Sequence, residues 1–249
     1  ETFASPRSFN NHYGVPLSLS NLNYDTKFGI FEVGMSKLGE IDKLSKIINP
    51  NIAVITNIAE AHIENFKNLD GIARAKSEII NNIKKNGSLI LNHDDKYYNF
   101  LKTKAESRKI KIVSFGKSKN SDVRLINIKE KKGTKKIIIK ILKNIFDLKV
   151  KNINLFNILA AFAVLKVLNL DLKKVLKTIK NLEPYEGRGK IHKVKRYNKK
   201  FTLIDESYNA SPFSVKIAIN NFSQIRKGKS KKYLLLGDML ELGKNSEIY

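Results

Sequence analysis

The feature that most restricts the fold of this 249-residue chain is the alternation of short apolar runs with helical patterns in its first half. Four runs, bounded by glycine or asparagine turn signals, have the length and composition of buried strands. They are Phe28 to Val33, Ile52 to Ile58, Ser88 to Asn92 and Ile110 to Phe115. Amphipathic patterns between them predict helices over Glu40 to Ile48 and Leu69 to Lys85. Strands that alternate with helices predict an α/β fold with a mostly parallel, doubly wound sheet.

The pattern changes in the middle of the chain. Residues Asp122 to Lys151 predict two or three strands with a turn near Gly133-Thr134, which is typical of a small antiparallel addition to a sheet. Two helices are predicted next, over Leu155 to Leu168 and Leu172 to Asn181.

A linker is predicted at Glu183 to Gly187, where proline and glycine interrupt the helical period. We therefore expect one domain over residues 1–183 and the start of a second, Rossmann-like domain over residues 184–249. In the second domain an apolar run delivers Asp205 to Pro212 into a turn, and a predicted strand, Lys232 to Leu236, runs into Gly237-Asp238. Ligands bind at the carboxyl ends of strands in open α/β sheets, so both ends are candidate sites.

Composition narrows the class of protein. There is no cysteine, which excludes disulfides and thiolate metal sites and is consistent with a reducing compartment. The longest apolar stretch, Ile158 to Leu165, falls well short of the roughly 18 residues that indicate a membrane span. No membrane-spanning segment is therefore expected.

The formal net charge of +24 raises the alternative of a basic nucleic-acid-binding module. Only seven of the 47 basic residues are arginine, which is the residue preferred for bidentate recognition of phosphates and bases. The lysines are scattered along the chain and are not interleaved with aromatic residues. They predict a solvated surface, with weak polyanion binding as a by-product and no specific nucleic-acid partner.

Lys76 lies on the apolar stripe of its predicted helix, four residues after Ile72 and three before Ile79. One interpretation is a lysine at the edge of the stripe whose charge reaches water. The other is a desolvated lysine, whose lowered pKa makes its neutral amine reactive. Periodicity alone leaves both open.

Other polar residues follow predicted strands or begin helices. Glu32 ends one strand and His62 follows another, so both are expected at one edge of the sheet. His62 is either a hydrogen-bonding loop residue or a metal ligand, whereas His192 is interpreted as a surface residue. Asn157 lies near a predicted helix start, where asparagine is common for capping alone.

Several ordered motifs together resemble the bacterial Mur ligase family. They are Ser8 to Pro16, Glu32 to Met35 with Gly39 to Ile41, Ile55 to Ile58, Ala61 to Glu64, Ile72 to Glu78, Leu203 to Pro212 and Leu236 to Gly243. The last two resemble most the branch that joins D-Ala-D-Ala to a UDP-MurNAc-tripeptide. The resemblance covers almost the whole chain and is weakest between residues 96 and 152.

The resemblance implies a role for individual residues. It implies that Lys76 is carbamylated by carbon dioxide and binds Mg2+ together with Glu32 and His62, and that Lys76 and His62 belong to the catalytic set. The residues implied to contact ATP are Asn157, Arg188 and Asp205. Those implied, more loosely, to handle substrate are Asn11, Tyr208, Asn209 and Ser214.

The resemblance also implies an activity: ATP-dependent ligation of D-Ala-D-Ala to UDP-MurNAc-tripeptide through an acyl phosphate, by a monomer in the bacterial cytoplasm. The alternatives are another Mur ligase or a folylpolyglutamate-type ligase. The Gly-rich phosphate loop with Lys and Ser/Thr that such ligases use does not occur in this sequence. We therefore expect a fragment that begins after that loop and is inactive alone.

Overall fold

The computed structural model describes residues 1–60, 63–131, 134–150, 153–179, 181–225 and 231–248. The strands are β1 (Thr2–Ala4), β2 (Phe28–Ile30), β3 (Ile52–Ile55), β4 (Ser88–Asn92), β5 (Lys111–Gly116), β6 (Val123–Lys131), β7 (Thr134–Ile141), β8 (Asn144–Val150), β9 (Lys190–Arg196) and β10 (Lys199–Asp205). The α-helices are α1 (Gly14–Ser20), α2 (Glu40–Ile48), α3 (Leu69–Ser77), α4 (Tyr98–Ser107), α5 (Leu155–Val167), α6 (Leu172–Ile179) and α7 (Pro212–Gln224). Short 3-10 helices occur at Ile63–Asn65, Glu78–Asn82 and Gly243–Ile248.

A six-stranded sheet with the order β3-β4-β5-β6-β7-β8 forms the centre of the fold. The pairs from β3 to β6 are parallel, whereas β6–β7 and β7–β8 are antiparallel. The predicted mostly parallel sheet and its antiparallel addition are confirmed. The turn predicted near Gly133-Thr134 lies partly outside the described residues.

Strand β4 shows why this sheet needs helices on both faces. Leu89, Ile90 and Leu91 are each fully buried, and successive strand residues point to opposite faces. Ile90 packs with the helix α5 residues Leu159 and Phe162, while Leu89 and Leu91 pack in a second cluster with α4. Continuous apolar strands of this kind are typical of parallel sheets covered on both sides.

Helix α5 packs directly on the sheet and is strongly apolar. Its 13 residues include the buried side chains Ile158, Leu159, Phe162 and Ala163. Across the described ranges, no helix combines the length and the apolar composition that crossing a membrane would require.

The predicted helix from Leu69 to Lys85 is divided in two. It is α-helical to Ser77 and continues as a 3-10 helix from Glu78. At this junction the Glu78 carboxylate accepts hydrogen bonds from the backbone N–H groups of Gly39 (2.7 Å) and Asp42 (3.2 Å). These N–H groups belong to the start of α2, whose N-cap residue offers no side chain. Glu78 therefore caps a neighbouring helix, and its charge complements the dipole of that helix.

The prediction of a buried strand over Phe28 to Val33 is wrong in extent and in burial. Strand β2 ends at Ile30, all three of its residues are exposed, and it pairs only with β1. Among the described strands, the three-residue β1 is its one partner. A short two-stranded ribbon offers little surface for burial, and the apolar side chains of β2 stay in solvent.

The prediction of a strand over Lys232 to Leu236 is also wrong. Residues 231–240 form neither helix nor strand, and Leu235 is 89% exposed. A strand needs a neighbour for its backbone hydrogen bonds, and β10 pairs instead with β9, antiparallel. Lys232 has another role, because its ammonium donates to the backbone carbonyls of Phe222 (3.0 Å) and Ser223 (3.1 Å) at the end of α7.

Strand β9 was not predicted, because its lysines suggested only a solvated surface. It forms a hairpin with β10 through Tyr197 and Asn198, both of which have positive φ values, 49° and 55°. Two consecutive residues with positive φ are typical of the tight turn that matches the twist of a hairpin. The hairpin register places Asp205 opposite Lys190.

Asp122 provides a test of how charge stabilises this sheet. Its carboxylate accepts hydrogen bonds from the Ser114 backbone N–H (2.9 Å), the Ser114 hydroxyl (2.9 Å) and the Lys166 ammonium (2.7 Å). Partial burial opposes ionisation, but the hydrogen bonds from Lys166 and Ser114 outweigh it and lower the pKa of Asp122. A lowered pKa means that the stabilisation is present above the pKa of the unfolded chain and is lost as the pH falls through the folded value.

We expect Asp122→Asn to lower the free energy of unfolding at pH 6, because it removes the charge that accepts these hydrogen bonds. The loss should be only about 1 kcal/mol, because the Asp122 side chain is 38% exposed to solvent. The difference from the unmodified chain should shrink as the pH falls below about 4. Urea unfolding at a series of pH values measures this. Asp147→Asn is the control, since the Lys136–Asp147 pair is about half exposed and should contribute little. A deficit for Asp122→Asn that stays constant to pH 2 would contradict the assignment.

Candidate active site

The first part of the site lies where β3 and β4 end. Asn57 follows β3 and Asp95 follows β4, and the Asp95 carboxylate accepts a hydrogen bond from the Ile58 backbone N–H (2.7 Å). The Lys76 ammonium, which comes from α3, donates to the Asn57 carbonyl oxygen at 2.9 Å. The amine is thereby held at the carboxyl edge of the parallel strands, where ligands bind in folds of this kind.

Lys76 lies on the buried side of its helix, as the apolar stripe predicts. Ile72 and Ile80, its neighbours on the stripe, are fully buried. Burial lowers the pKa of Lys76, and the nearby Asp95 carboxylate only partly opposes this. Within the described ranges the ammonium forms no ion pair shorter than 4 Å. This favours the desolvated, reactive amine over a lysine whose charge reaches bulk water.

Glu32 lies two residues beyond β2 and is exposed. Its carboxylate accepts a hydrogen bond from the Asn10 side-chain amide (2.9 Å), and the Asn10 carbonyl accepts one from the Gly34 backbone N–H (2.8 Å). Strand β2 lies outside the six-stranded sheet, so the expectation that Glu32 ends a strand of the main parallel sheet is wrong. His62 lies outside the described residues.

Asn11 has a local structural role. Its side-chain oxygen accepts hydrogen bonds from the backbone N–H groups of Tyr13 (3.1 Å) and Gly14 (2.9 Å) at the start of α1. Its side-chain NH2 group makes no hydrogen bond within the described part of the chain, so only that group is available to a substrate.

Asn157 lies in the first turn of α5, but it is not the cap of that helix. The cap is Asn154, whose side-chain oxygen accepts the Phe156 backbone N–H at 2.9 Å. Asn157 is exposed, and no described residue hydrogen-bonds to its amide. Its amide can therefore both donate to and accept from a ligand.

Asp205 ties the linker to the end of β10. Its carboxylate accepts hydrogen bonds from the backbone N–H groups of Ser207 and Gly187, both at 3.0 Å. The hydrogen bonds from Ser207, and after them the bond from Gly187, lower the pKa of Asp205. A carboxylate with two acceptor oxygens keeps lone pairs for a further donor, such as a sugar hydroxyl.

Arg188 and Tyr208 form a stacked pair. The guanidinium carbon of Arg188 lies 4.3 Å from the centre of the Tyr208 ring, and the Tyr208 hydroxyl is hydrogen-bonded to the Ser8 hydroxyl. The sequence singled out Arg188 and Tyr208 separately but gave no sign of this arrangement, because Ser8 is 200 residues away from Tyr208.

Asn209 and Ser214 are both used locally. The Asn209 side-chain oxygen accepts the Ala210 backbone N–H at 2.8 Å. Ser214 and Ser211 form a reciprocal capping box at the start of α7, in which each side chain accepts the backbone N–H of the other. The first role of Ser214 is therefore to begin that helix.

A cluster that the sequence did not reveal lies on the hairpin. Glu186, His192 and Asp205 each offer a side-chain N or O atom that could bind a metal, and these atoms all lie within 4.8 Å of one another. His192 Nε2 is 3.4 Å from the Glu186 carboxylate. The Lys190 ammonium also pairs with Glu186, so this carboxylate already has a cationic partner. Only the unpredicted register of β9 brings these residues together, which is why His192 was interpreted as a surface residue.

Comparison with known proteins identifies the family. Residues 1–165 match the family model described as the Mur ligase middle domain. The UDP-N-acetylmuramoyl-tripeptide--D-alanyl-D-alanine ligase of Rickettsia prowazekii is 34% identical over 249 residues, which are 98% of this chain and 54% of that protein.

Solved structures agree with this result. Crystal structure I of MurF from Acinetobacter baumannii superposes with a TM-score of 0.88 at 29% identity, over 98% of this chain and 52% of that one. The MurF ligase of Thermotoga maritima, solved in complex with ADP, gives a TM-score of 0.85 at 27% identity, over 99% and 56%. The chain spans about half the length of these relatives. Because the family model matches about two thirds of its residues, this chain belongs to the Mur ligase family.

Proposed function

We propose that the protein is an ATP-dependent ligase that joins D-Ala-D-Ala to UDP-MurNAc-tripeptide in peptidoglycan-precursor synthesis. The Rickettsia prowazekii relative carries that name, which favours this reaction over other Mur, folylpolyglutamate-type or nucleic-acid-binding functions. The observation that carries the proposal is the partly buried Lys76 amine at the carboxyl edge of β3. We also propose a monomer that acts in the bacterial cytoplasm.

The proposed reaction has two steps. A carboxylate oxygen of the tripeptide attacks the γ-phosphorus of ATP, and the bond between that phosphorus and the β-phosphate oxygen breaks. ADP departs, and the tripeptide becomes an acyl phosphate. The amine nitrogen of D-Ala-D-Ala then attacks the acyl carbon, loses a proton, and expels inorganic phosphate as the amide forms. The contribution of the protein is mainly positioning and electrostatic stabilisation of the phosphoryl group.

The residues proposed for the metal site suit Mg2+ once Lys76 is carbamylated. Mg2+ prefers oxygen ligands, and Glu32 accepts one hydrogen bond from Asn10, which leaves carboxylate lone pairs for a metal. Lys76 offers an oxygen ligand only after carbamylation, which requires the neutral amine that burial favours. In this proposal Glu32, carbamylated Lys76 and His62 would hold the ion, which would neutralise charge on the transferred phosphoryl group.

ATP is proposed to bind between two domains, residues 1–183 and residues 184–249. Among described residues the last buried apolar side chain is Ile179, which supports a boundary after it. Asn157 would read the adenine from the first domain. Arg188 would contact the phosphates and Asp205 the ribose from the second.

The test is inorganic phosphate release by the complete protein. We expect release only when ATP, UDP-MurNAc-tripeptide and D-Ala-D-Ala are all present, and we expect none from the 249 residues alone, because their sequence holds no phosphate loop. UDP-MurNAc-dipeptide and L-Ala-L-Ala are the matched control substrates. Phosphate release that requires either control substrate would assign a different ligase. Binding to nucleic acid that weakens steeply with salt, without any ATP turnover, would favour the binding module.

A further inference from the structure

Tyr208 is in contact with two separate parts of the chain, the loop of Ser8 and the linker residues Gly187 and Arg188. Its hydroxyl is hydrogen-bonded to the Ser8 hydroxyl, and its ring lies against the Arg188 guanidinium at 4.3 Å. Its backbone N–H donates to the Gly187 carbonyl at 3.1 Å. The ring, hydroxyl and backbone N–H of Tyr208, which was expected to handle substrate, therefore each have a partner within the protein.

Gly187 allows the linker to approach Tyr208 this closely. Gly187 has a φ of +70°, and a Cβ atom added to it would lie 2.7 Å from Tyr208 Cβ and 2.8 Å from the Tyr208 backbone nitrogen. Real Cβ atoms essentially never come so close to other atoms. The linker is therefore fixed against Tyr208, and Arg188, the next residue, is placed over its ring.

Arg188 is exposed, and within the described ranges no carboxylate forms an ion pair with it at 4 Å or less. A long arginine side chain without such a partner has many rotamers open to it. The Arg188 guanidinium carbon lies 4.3 Å from the centre of the Tyr208 ring, and attraction between a guanidinium and an aromatic face restricts those rotamers.

We propose that Tyr208 is a positioning residue that orients Arg188 for the nucleotide phosphates and, through its hydroxyl, makes that orientation depend on contact with the loop of Ser8. The inference rests on the proposed function and deepens it, because it concerns how the nucleotide-contacting arginine is held. Tyr208 acts through Arg188 and does not itself touch the substrate.

Removing the contacts of the Tyr208 side chain should leave residues 184–249 in contact with residues 1–183. The Glu64 backbone N–H donates to the Glu241 carbonyl at 3.2 Å, and Gly243 packs on Glu64. This second contact involves neither Tyr208 nor Arg188. Variants at Tyr208 therefore test the position of the arginine and not whether residues 184–249 are attached to the rest.

The experiment measures the dissociation constant of ADP, and the KM of ATP and of D-Ala-D-Ala, in the complete protein. We expect Tyr208→Leu to raise the ADP dissociation constant and the ATP KM about tenfold, to leave the D-Ala-D-Ala KM unchanged, and to add nothing to Arg188→Ala. Tyr208→Phe, which keeps the aromatic ring, should retain most of the ADP affinity that Tyr208→Leu loses. Tyr208→Phe and Ser8→Ala should each have the same smaller effect, and the double variant should not exceed either single one.

Tyr197→Leu is the matched control, because Arg196 lies over the Tyr197 ring at 5.1 Å on an exposed turn. It should change none of these constants. Unchanged ADP binding in Tyr208→Leu overturns the inference, and so does a rise confined to the D-Ala-D-Ala KM, which would mean direct substrate contact. If ADP binding responds as expected while D-Ala-D-Ala never stimulates phosphate release, the proposed function fails and the positioning role stands.

Discussion

Replacing Lys76 by alanine in the complete protein is expected to lower turnover about a hundredfold or more, the size of effect seen when one electrostatic contact to a transition state is lost. The reason is the position of the amine: it is desolvated on the buried face of α3 and held at the Asn57 carbonyl by a 2.9 Å hydrogen bond. Once carbamylated, it would carry a negative charge towards the metal. Alanine removes both the carbamate and its charge.

Short-chain carboxylates such as acetate should partly restore turnover in Lys76→Ala, since they supply the missing oxygen ligand from solution. Lys104→Ala is the matched control. Burial also lowers the pKa of Lys104, but its ammonium donates to the Ser77 hydroxyl at 2.9 Å and not to the strand edge. It should lose stability without losing turnover. Near-normal turnover in Lys76→Ala would make Lys76 a structural lysine and remove the carbamate from the mechanism.

The central sheet could be predicted from sequence because its signals are local. Strand β4 is a continuous apolar run with glycine before it, and the structure reproduces the predicted bounds of Ser88 to Asn92. Helix α2 likewise has the predicted bounds of Glu40 to Ile48. Where propensity, period and turn residues agree, one sequence window is enough.

The failures are cases in which a strand depends on a partner. Residues 232–236 have the composition of a strand, as do residues 31–33 after β2, but neither segment has a described neighbour to complete its hydrogen bonds. Conversely, β9 carries several lysines and is a strand because β10 pairs with it over seven residues. The composition of a segment does not reveal which partner it has.

The candidate site also combines features that the sequence predicts with contacts that it does not. The stripe of α3 places Lys76 on the apolar side of the helix, where the structure has it partly buried. That its amine meets the Asn57 carbonyl, or that Tyr208 meets Ser8, depends on how distant segments pack. Motifs therefore indicate candidate site residues, while the tertiary structure shows which of them already have hydrogen-bond partners, as Ser214 does in its capping box.

Gly87 lies in a tightly packed turn just before β4, at the amino ends of the parallel strands β3 and β4. A Cβ atom there would lie 2.6 Å from the Asn51 carbonyl oxygen and 2.8 Å from the Lys84 carbonyl oxygen. Both oxygens are held in place, because the Ser88 backbone N–H donates to Asn51 (2.9 Å) and the Gly87 N–H donates to Lys84 (2.8 Å). Relieving the contact would break hydrogen bonds at the point where β3 and β4 begin to pair.

We therefore expect Gly87→Ala to lower the free energy of unfolding by about 3 kcal/mol, at the upper end of what overpacking usually costs. Urea unfolding of the chain, followed by circular dichroism, measures this. Gly71→Ala in α3 is the matched control, since its Cβ would make only an ordinary contact, 3.4 Å from Phe66 Cβ. It should be neutral or stabilise by up to about 1 kcal/mol, because alanine favours a helix over glycine. Equal unfolding midpoints for the two variants would mean that the turn before β4 adapts, and that close packing there does not fix the start of the β3–β4 pairing.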